Sequence, residues 1–262
     1  MSITFKFVAV SLAMLGAMEA LFFTGNMPPV PGIGFIFVVG SSLAGFIAYR
    51  LYRARKSPGA PAGQQGEVLK QLQWYFVTLC AFWVVDLFPH VLLIMGGASL
   101  QTLTVTHWTA HIFLATTVVI AARIATTFFA PRLKTKATIF TVILMVAALA
   151  FSAVFPDHLA YIPGSEYPLI SADPLFSHFY TFASIITSGF FGLYLIYKGF
   201  GSQAPLRMRA ISLGLGFVAQ VLIGMVIAYM HTWYAPAFIY LFIWAWVVFP
   251  GISALSSSGQ NR

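Results

Sequence analysis

The stretch "VTHWTAHIF", residues 105–113, sets His107 and His111 four residues apart in an almost wholly apolar run. On a helix that spacing puts both imidazoles on one face. A second pair lies just upstream in "DLFPH", where Asp86 and His90 are again four apart. Two imidazoles plus a carboxylate–imidazole pair on neighbouring helices supply three or four donors for one metal ion. Imidazole suits Zn, Cu and Fe, and a carboxylate shifts the choice toward Fe or Zn. The expected metal set is therefore Asp86, His90, His107 and His111. Haem b competes for the same residues, since two histidines from different helices can clamp it edge-on. His178 and His231 then join His90, His107 and His111 as axial candidates. Glu19 and Asp86, where they are not ligands, are carboxylates suited to relaying protons.

Each of these residues also has a structural reading. Asp86 and His90 serve equally as a buried hydrogen-bonded pair supporting a kink at Pro89, which has no N–H to donate to Val85. His158, His178 and His231 read as headgroup-level residues or as ligands. An H-x-x-x-H is a weak motif alone. The stronger indication is where the whole set falls once the elements that carry it are placed.

Of the 262 residues, 60% are apolar and 8% charged, against about 25% charged in a soluble domain. So few charges cannot build a water-facing surface, so most of the chain must face lipid. Runs of roughly 20 apolar residues, the length of a spanning helix, fall at about 3–24, 31–53, 71–96, 104–130, 137–155, 174–198, 206–230 and 233–254. Pro, Gly and polar residues separate them, as in "GNMPPVPG" and "KSPGAPAGQQGE". The boundary at "MHTWYAP" is the weakest, and a re-entrant segment there would reduce the count to seven. In lipid every backbone polar group must be satisfied internally, so helices are the expected element. The expected fold is a single all-α domain, a polytopic membrane bundle of eight spans over residues 1–262.

With an even number of spans, all 14 basic residues lie on one side, which makes that side cytoplasmic and places both termini there. The net charge of +8 is then a topology signal and a contact with anionic headgroups, not a nucleic-acid footprint. The same topology puts all six histidines on the outer half, together with Glu19, Asp86, Asp157, Glu166 and Asp173. At 1.5 Å per residue, Asp86 lies ~15 Å and His111 ~11–12 Å from the outer ends of their spans, and Glu19 ~7 Å. Ionisable groups at such depth are costly and are functional-site candidates by default. Spans three and four, joined by a short connection, are expected as antiparallel neighbours. Spans one, six and seven are expected to add to the site they build. Ser184, Ser188 and Gly192 on span six, and Ser212, Gly216, Gln220, Gly224 and Ala228 on span seven, form small-residue stripes for close helix packing. Gln220 is expected to hydrogen-bond across helices.

Several classes are excluded. There is no H-E-x-x-H, G-x-S-x-G, P-loop or dinucleotide fingerprint. The histidine boxes of membrane desaturases are missing, and the last two spans hold no lysine for a retinal Schiff base. The lone Cys80 says nothing of redox compartment. What remains is a membrane redox or electron-transfer protein with a His-rich haem or metal (Fe, Cu or Zn) site on the periplasmic side of a bacterial or archaeal plasma membrane. Quinone and other membrane or periplasmic subunits are the expected partners. No histidine lies on the inner half, so the chain alone cannot carry electrons across the bilayer through two haems. The alternatives are a cofactor-free anchor or sensor subunit of a larger complex, and an outward-facing metalloenzyme acting on a lipid-soluble substrate.

Overall fold

The computed structural model describes residues 29–94, 99–155, 158–161, 168–171 and 173–230. The first and last predicted spans, with Glu19 and His231, lie outside the described residues. Among the described residues the chain is helical apart from one short ribbon. The helices are α1 (Pro29–Lys56), α2 (Gly63–Ile94), α3 (Leu100–Phe129), α4 (Lys134–Val154), α5 (Pro174–Ser184), α6 (Phe190–Phe200) and α7 (Ala204–Met230). A π-turn, Ile185–Gly189, joins α5 and α6 into one rod, and a 3₁₀ turn, Pro131–Leu133, leads into α4. Among the described residues, four helices are long and apolar enough to cross a membrane: Gly63–Leu92, Leu100–Phe128, Pro131–Val154 and Pro174–Phe200. These are compatible with an integral membrane protein.

The ends of these helices follow local chemistry. α2 begins at Gly63, two turns before the predicted 71, because Gln64, Glu67, Lys70 and Gln71 are sound helix formers and Gln64, Glu67 and Gln71 find partners. Gln64 donates to the Thr127 carbonyl at 2.7 Å, and Lys134 bonds Glu67. Gly59 and Gly63, at φ 77° and 61°, supply the left-handed turns between α1 and α2 that other residues resist. α3 begins at Leu100 because Ser99 caps it, its hydroxyl accepting from the Thr102 N–H at 3.2 Å. The helix of α2 continues through Pro89 to Ile94.

Neighbouring helices alternate in direction. Phe37 meets His90, Gly40 faces Trp83 and Arg55 bonds Gln73, so α1 and α2 are antiparallel. Asp86 approaches His107 while Gln71 approaches Thr127, so α2 and α3 are antiparallel, as the short connection predicts. Trp108 donates to the Leu149 carbonyl at 3.2 Å and Lys134 reaches Glu67, which reverses α4 against α3. Gly192 touches Gly214 and Gly199 meets Ile211, which reverses α7 against α6. This up-and-down order gathers the described basic residues, from Arg50 through Arg209, at one end of the bundle. We call it the basic end, and the opposite one the imidazole end.

The core runs between α1, α2, α3, α6 and α7, with Ile47, Tyr75, Phe76, Ile124, Phe191 and Phe217 buried in it. Phe140, Ile143 and Val146 on α4, and Phe190, Leu193 and Tyr197 on α6, face outward. A large apolar surface of that kind suits a lipid solvent. One feature departs from an all-helical reading. The connection after α4 carries a two-stranded antiparallel ribbon, β1 (His158–Tyr161) with β2 (Pro168–Ser171), in which Leu159 pairs with Ile170. It lies at the imidazole end, with β2 against α2 and α3.

Candidate functional site

Asp86 lies eight residues before the end of α2 and His107 seven after the start of α3. With so short a connection these counts bring both to one depth, ~11–12 Å from the helix ends. Asp86 Oδ1 stands 3.6 Å from His107 Nε2. That is longer than a hydrogen bond but within ion-pair distance, and a small rotation would close it. His111, one turn deeper, packs on His107 with ring centroids 4.3 Å apart. On its other side His111 stacks on Phe176 of α5, again at 4.3 Å and with the planes 23° apart. His90 lies on the Phe37 ring of α1, centroids 5.1 Å apart.

All four polar residues are withdrawn from the surface: Asp86 is 7% exposed, His90 and His107 6%, and His111 4%. The Nδ1 of His111 has no hydrogen-bond partner among the described residues. An orphaned buried nitrogen costs about 1–3 kcal/mol, which points to a role for it. The row Asp86–His107–His111 thus offers a carboxylate and two imidazoles in sequence. Such groups can accept, hold and pass a proton while the surrounding rings exclude water.

The structure sorts the expected residues unevenly. It brings Asp86, His107 and His111 into one row and sets His90 in the same buried layer against α1. Among the described residues, however, no three His, Cys, Asp or Glu side chains form a group that could hold a metal ion. His178 lies exposed on α5, with Nδ1 at the Pro174 carbonyl of its own helix. Glu19 and His231 fall outside the described residues. Sequence reasoning paired Asp86 with His90 along one helix, whereas the carboxylate also faces His107 across the interface. It missed Phe37 and Phe176, which wall the imidazoles. Nothing in the spacing of 26 phenylalanines singles those two out.

Gln220 does hydrogen-bond across helices, as expected, accepting from the Tyr75 hydroxyl. Helix backbones approach closely at Gly192, on the expected stripe of span six, and Gly214, which lies between Ser212 and Gly216 and off the expected stripe of span seven. A Cβ on Gly192 would stand 2.7 Å from the Gly214 carbonyl oxygen. Comparison with known proteins finds no matching family model, no matching curated protein and no matching solved structure.

Proposed function

We propose that this chain is an integral membrane redox protein in which Asp86, His107 and His111 handle the protons that accompany electron transfer. The observation that carries this reading is the burial of a carboxylate and two imidazoles in contact within an apolar bundle. A lipid-soluble quinol is the donor class that fits. Its oxidation releases two protons and two electrons; the Asp86–His107 pair takes up one proton at the point of release and the other leaves to the outer aqueous side. His90, with whichever of His107 and His111 is not carrying the proton, would hold a haem or transition metal, which would supply the electron acceptor. In this reading the chain crosses the plasma membrane eight times. The basic end and both termini are cytoplasmic, and the imidazole end is outside.

The test is an absorption spectrum with elemental analysis of protein purified without chelator. A Soret band or a stoichiometric transition metal is expected, and it should be lost in His111→Ala. Protein holding neither would refute the redox reading. The second reading, a cofactor-free sensor or anchor subunit, is favoured by the lack of a three-donor group among the described residues. It expects His111→Ala to leave a larger assembly intact and any optical spectrum featureless from the start.

A further inference from the structure

The side of α6 that faces away from the core carries a second arrangement, apart from the imidazole row. Phe190, Leu193, Tyr194 and Tyr197 recur at helical spacing and enclose an open groove of about 480 Å³. Phe190, Leu193 and Tyr197 are exposed. The groove follows the helix for ~10–11 Å. A single leaflet is ~15 Å deep, half of the hydrocarbon core, so the groove takes up most of that depth. Its lining is aliphatic and aromatic, with the two tyrosines toward the basic end.

Two cations stand at that end. Lys198 Nζ lies over both tyrosine rings, 5.6 Å from the Tyr194 centroid and 5.9 Å from that of Tyr197, within cation–π range. A lysine near the end of a spanning helix ordinarily extends toward water. This one stays over the mouth of the groove. Arg207, in the first turn of α7, donates through Nε to the Ser202 carbonyl at 3.1 Å. The Ser202 hydroxyl donates to the Lys198 carbonyl at 2.8 Å. The arginine is thus tied to the turn that follows Lys198. That bond uses one of the five guanidinium donors, and phosphate is the anion whose oxygens the rest grip in pairs.

The sequence supplies these cations with no nearby counter-ion. No Asp or Glu follows Asp173 in the chain. Glu67, the carboxylate at the basic end among the described residues, is bonded by Lys134. An interfacial belt of tyrosines and lysines explains the residue types at this depth. It does not explain a concavity that begins under them, or an arginine fixed to the same turn without a carboxylate to meet. We infer that the groove holds one acyl chain of an anionic phospholipid, whose phosphate sits between Lys198 and Arg207. The headgroup supplies the counter-ion that the sequence omits, and the chain covers the exposed rings. The inference needs only that the chain lies in a bilayer, and it stands apart from the redox reading.

Native mass spectrometry of the full chain tests it, with detergent-solubilised protein titrated with phosphatidylglycerol or phosphatidylcholine of the same acyl chains. One phosphatidylglycerol should bind first, several-fold more tightly than phosphatidylcholine. Lys198→Ala and Arg207→Ala should each reduce that preference several-fold. Leu193→Trp fills the groove without changing charge and should weaken phosphatidylglycerol binding by a similar factor. Lys136→Ala removes an exposed cation at the same end, on α4, and should leave binding unchanged. Equal binding of the two lipids overturns the site. So does an equal loss in Lys136→Ala, which would mean charge attraction without a place, or a Leu193→Trp chain that binds as before. Excess glycerol phosphate should not displace the lipid, and displacement would reassign the cations to a free phosphate. A groove closed by a second copy, or by a span outside the described residues, would show no preference for one lipid. Leu193→Trp would then split an oligomer or lower the melting temperature, and either result overturns the lipid site.

Discussion

Asp86 and His107 meet because two residue counts, eight on α2 and seven on α3, nearly match across a short connection. Their contact should therefore be energetic as well as geometric. In a double-mutant cycle of Asp86→Ala and His107→Ala, unfolding in detergent should give a coupling of about 0.5–3 kcal/mol, the range for residues in contact. Purely additive effects would mean that the two side chains do not sense each other. The individual candidates were legible in the sequence, because ionisable residues in apolar runs stand out by depth alone. Their partners were not. Asp86 and His90 share a helix, so their spacing is visible. The approach of Asp86 to His107 depends on how each helix is rotated about its axis, which is set by packing against α1 and α5. The same holds for Phe176 under His111, one phenylalanine among many until α5 is docked.

At the scale of elements, the crossing of α6 and α7 depends on two glycines. A Cβ on Gly192 would stand 2.7 Å from the Gly214 carbonyl oxygen, and one on Gly214 would stand 2.5 Å from that of Gly192. Backbone cannot yield as a side chain does, so either alanine must force the helices apart. Gly192→Ala and Gly214→Ala should each cost about 1–3 kcal/mol, the usual penalty for overpacking. Gly45→Ala is the control. Its Cβ would meet only the Cys80 sulfur, at an ordinary 3.4 Å, and a mid-helix alanine gains roughly 0.5–1 kcal/mol over glycine. Gly192→Ala as stable as Gly45→Ala would show that the close crossing is not formed. The described helix cores match the apolar runs, since hydrophobic length is written directly in composition. Ends were less legible where polar residues found tertiary partners, as at Gln64 and Glu67. The π-turn and the ribbon were not legible at all. The ribbon depends on pairing between two short segments of a loop, and the π-turn on a shift of the helix's own bonding, Phe190 N–H reaching back five residues to the Ile185 carbonyl; composition encodes neither.

For the whole molecule, the decisive property is the separation of charge between the two ends. Arg53, Arg55 and Lys56 close α1, Arg132, Lys134 and Lys136 precede or open α4, and Lys198 closes α6. The alternating helix directions carry all of these to one end. The proposed orientation puts the basic end on the cytoplasmic side, so residues at the two ends should answer to reagents from opposite sides. Ser57 and Ser99 are suitable reporters, both exposed, one in the connection after α1 and the other capping α3. In a Cys80→Ala background, a membrane-impermeant maleimide added to intact cells should label Ser99→Cys and spare Ser57→Cys until the membrane is opened. The reverse pattern would invert the orientation and place the imidazole row inside, removing the periplasmic assignment. Labelling of both from one face would be more serious. It would mean that α2 does not cross, and Asp86 and Glu67 would then lie on the same side of the membrane.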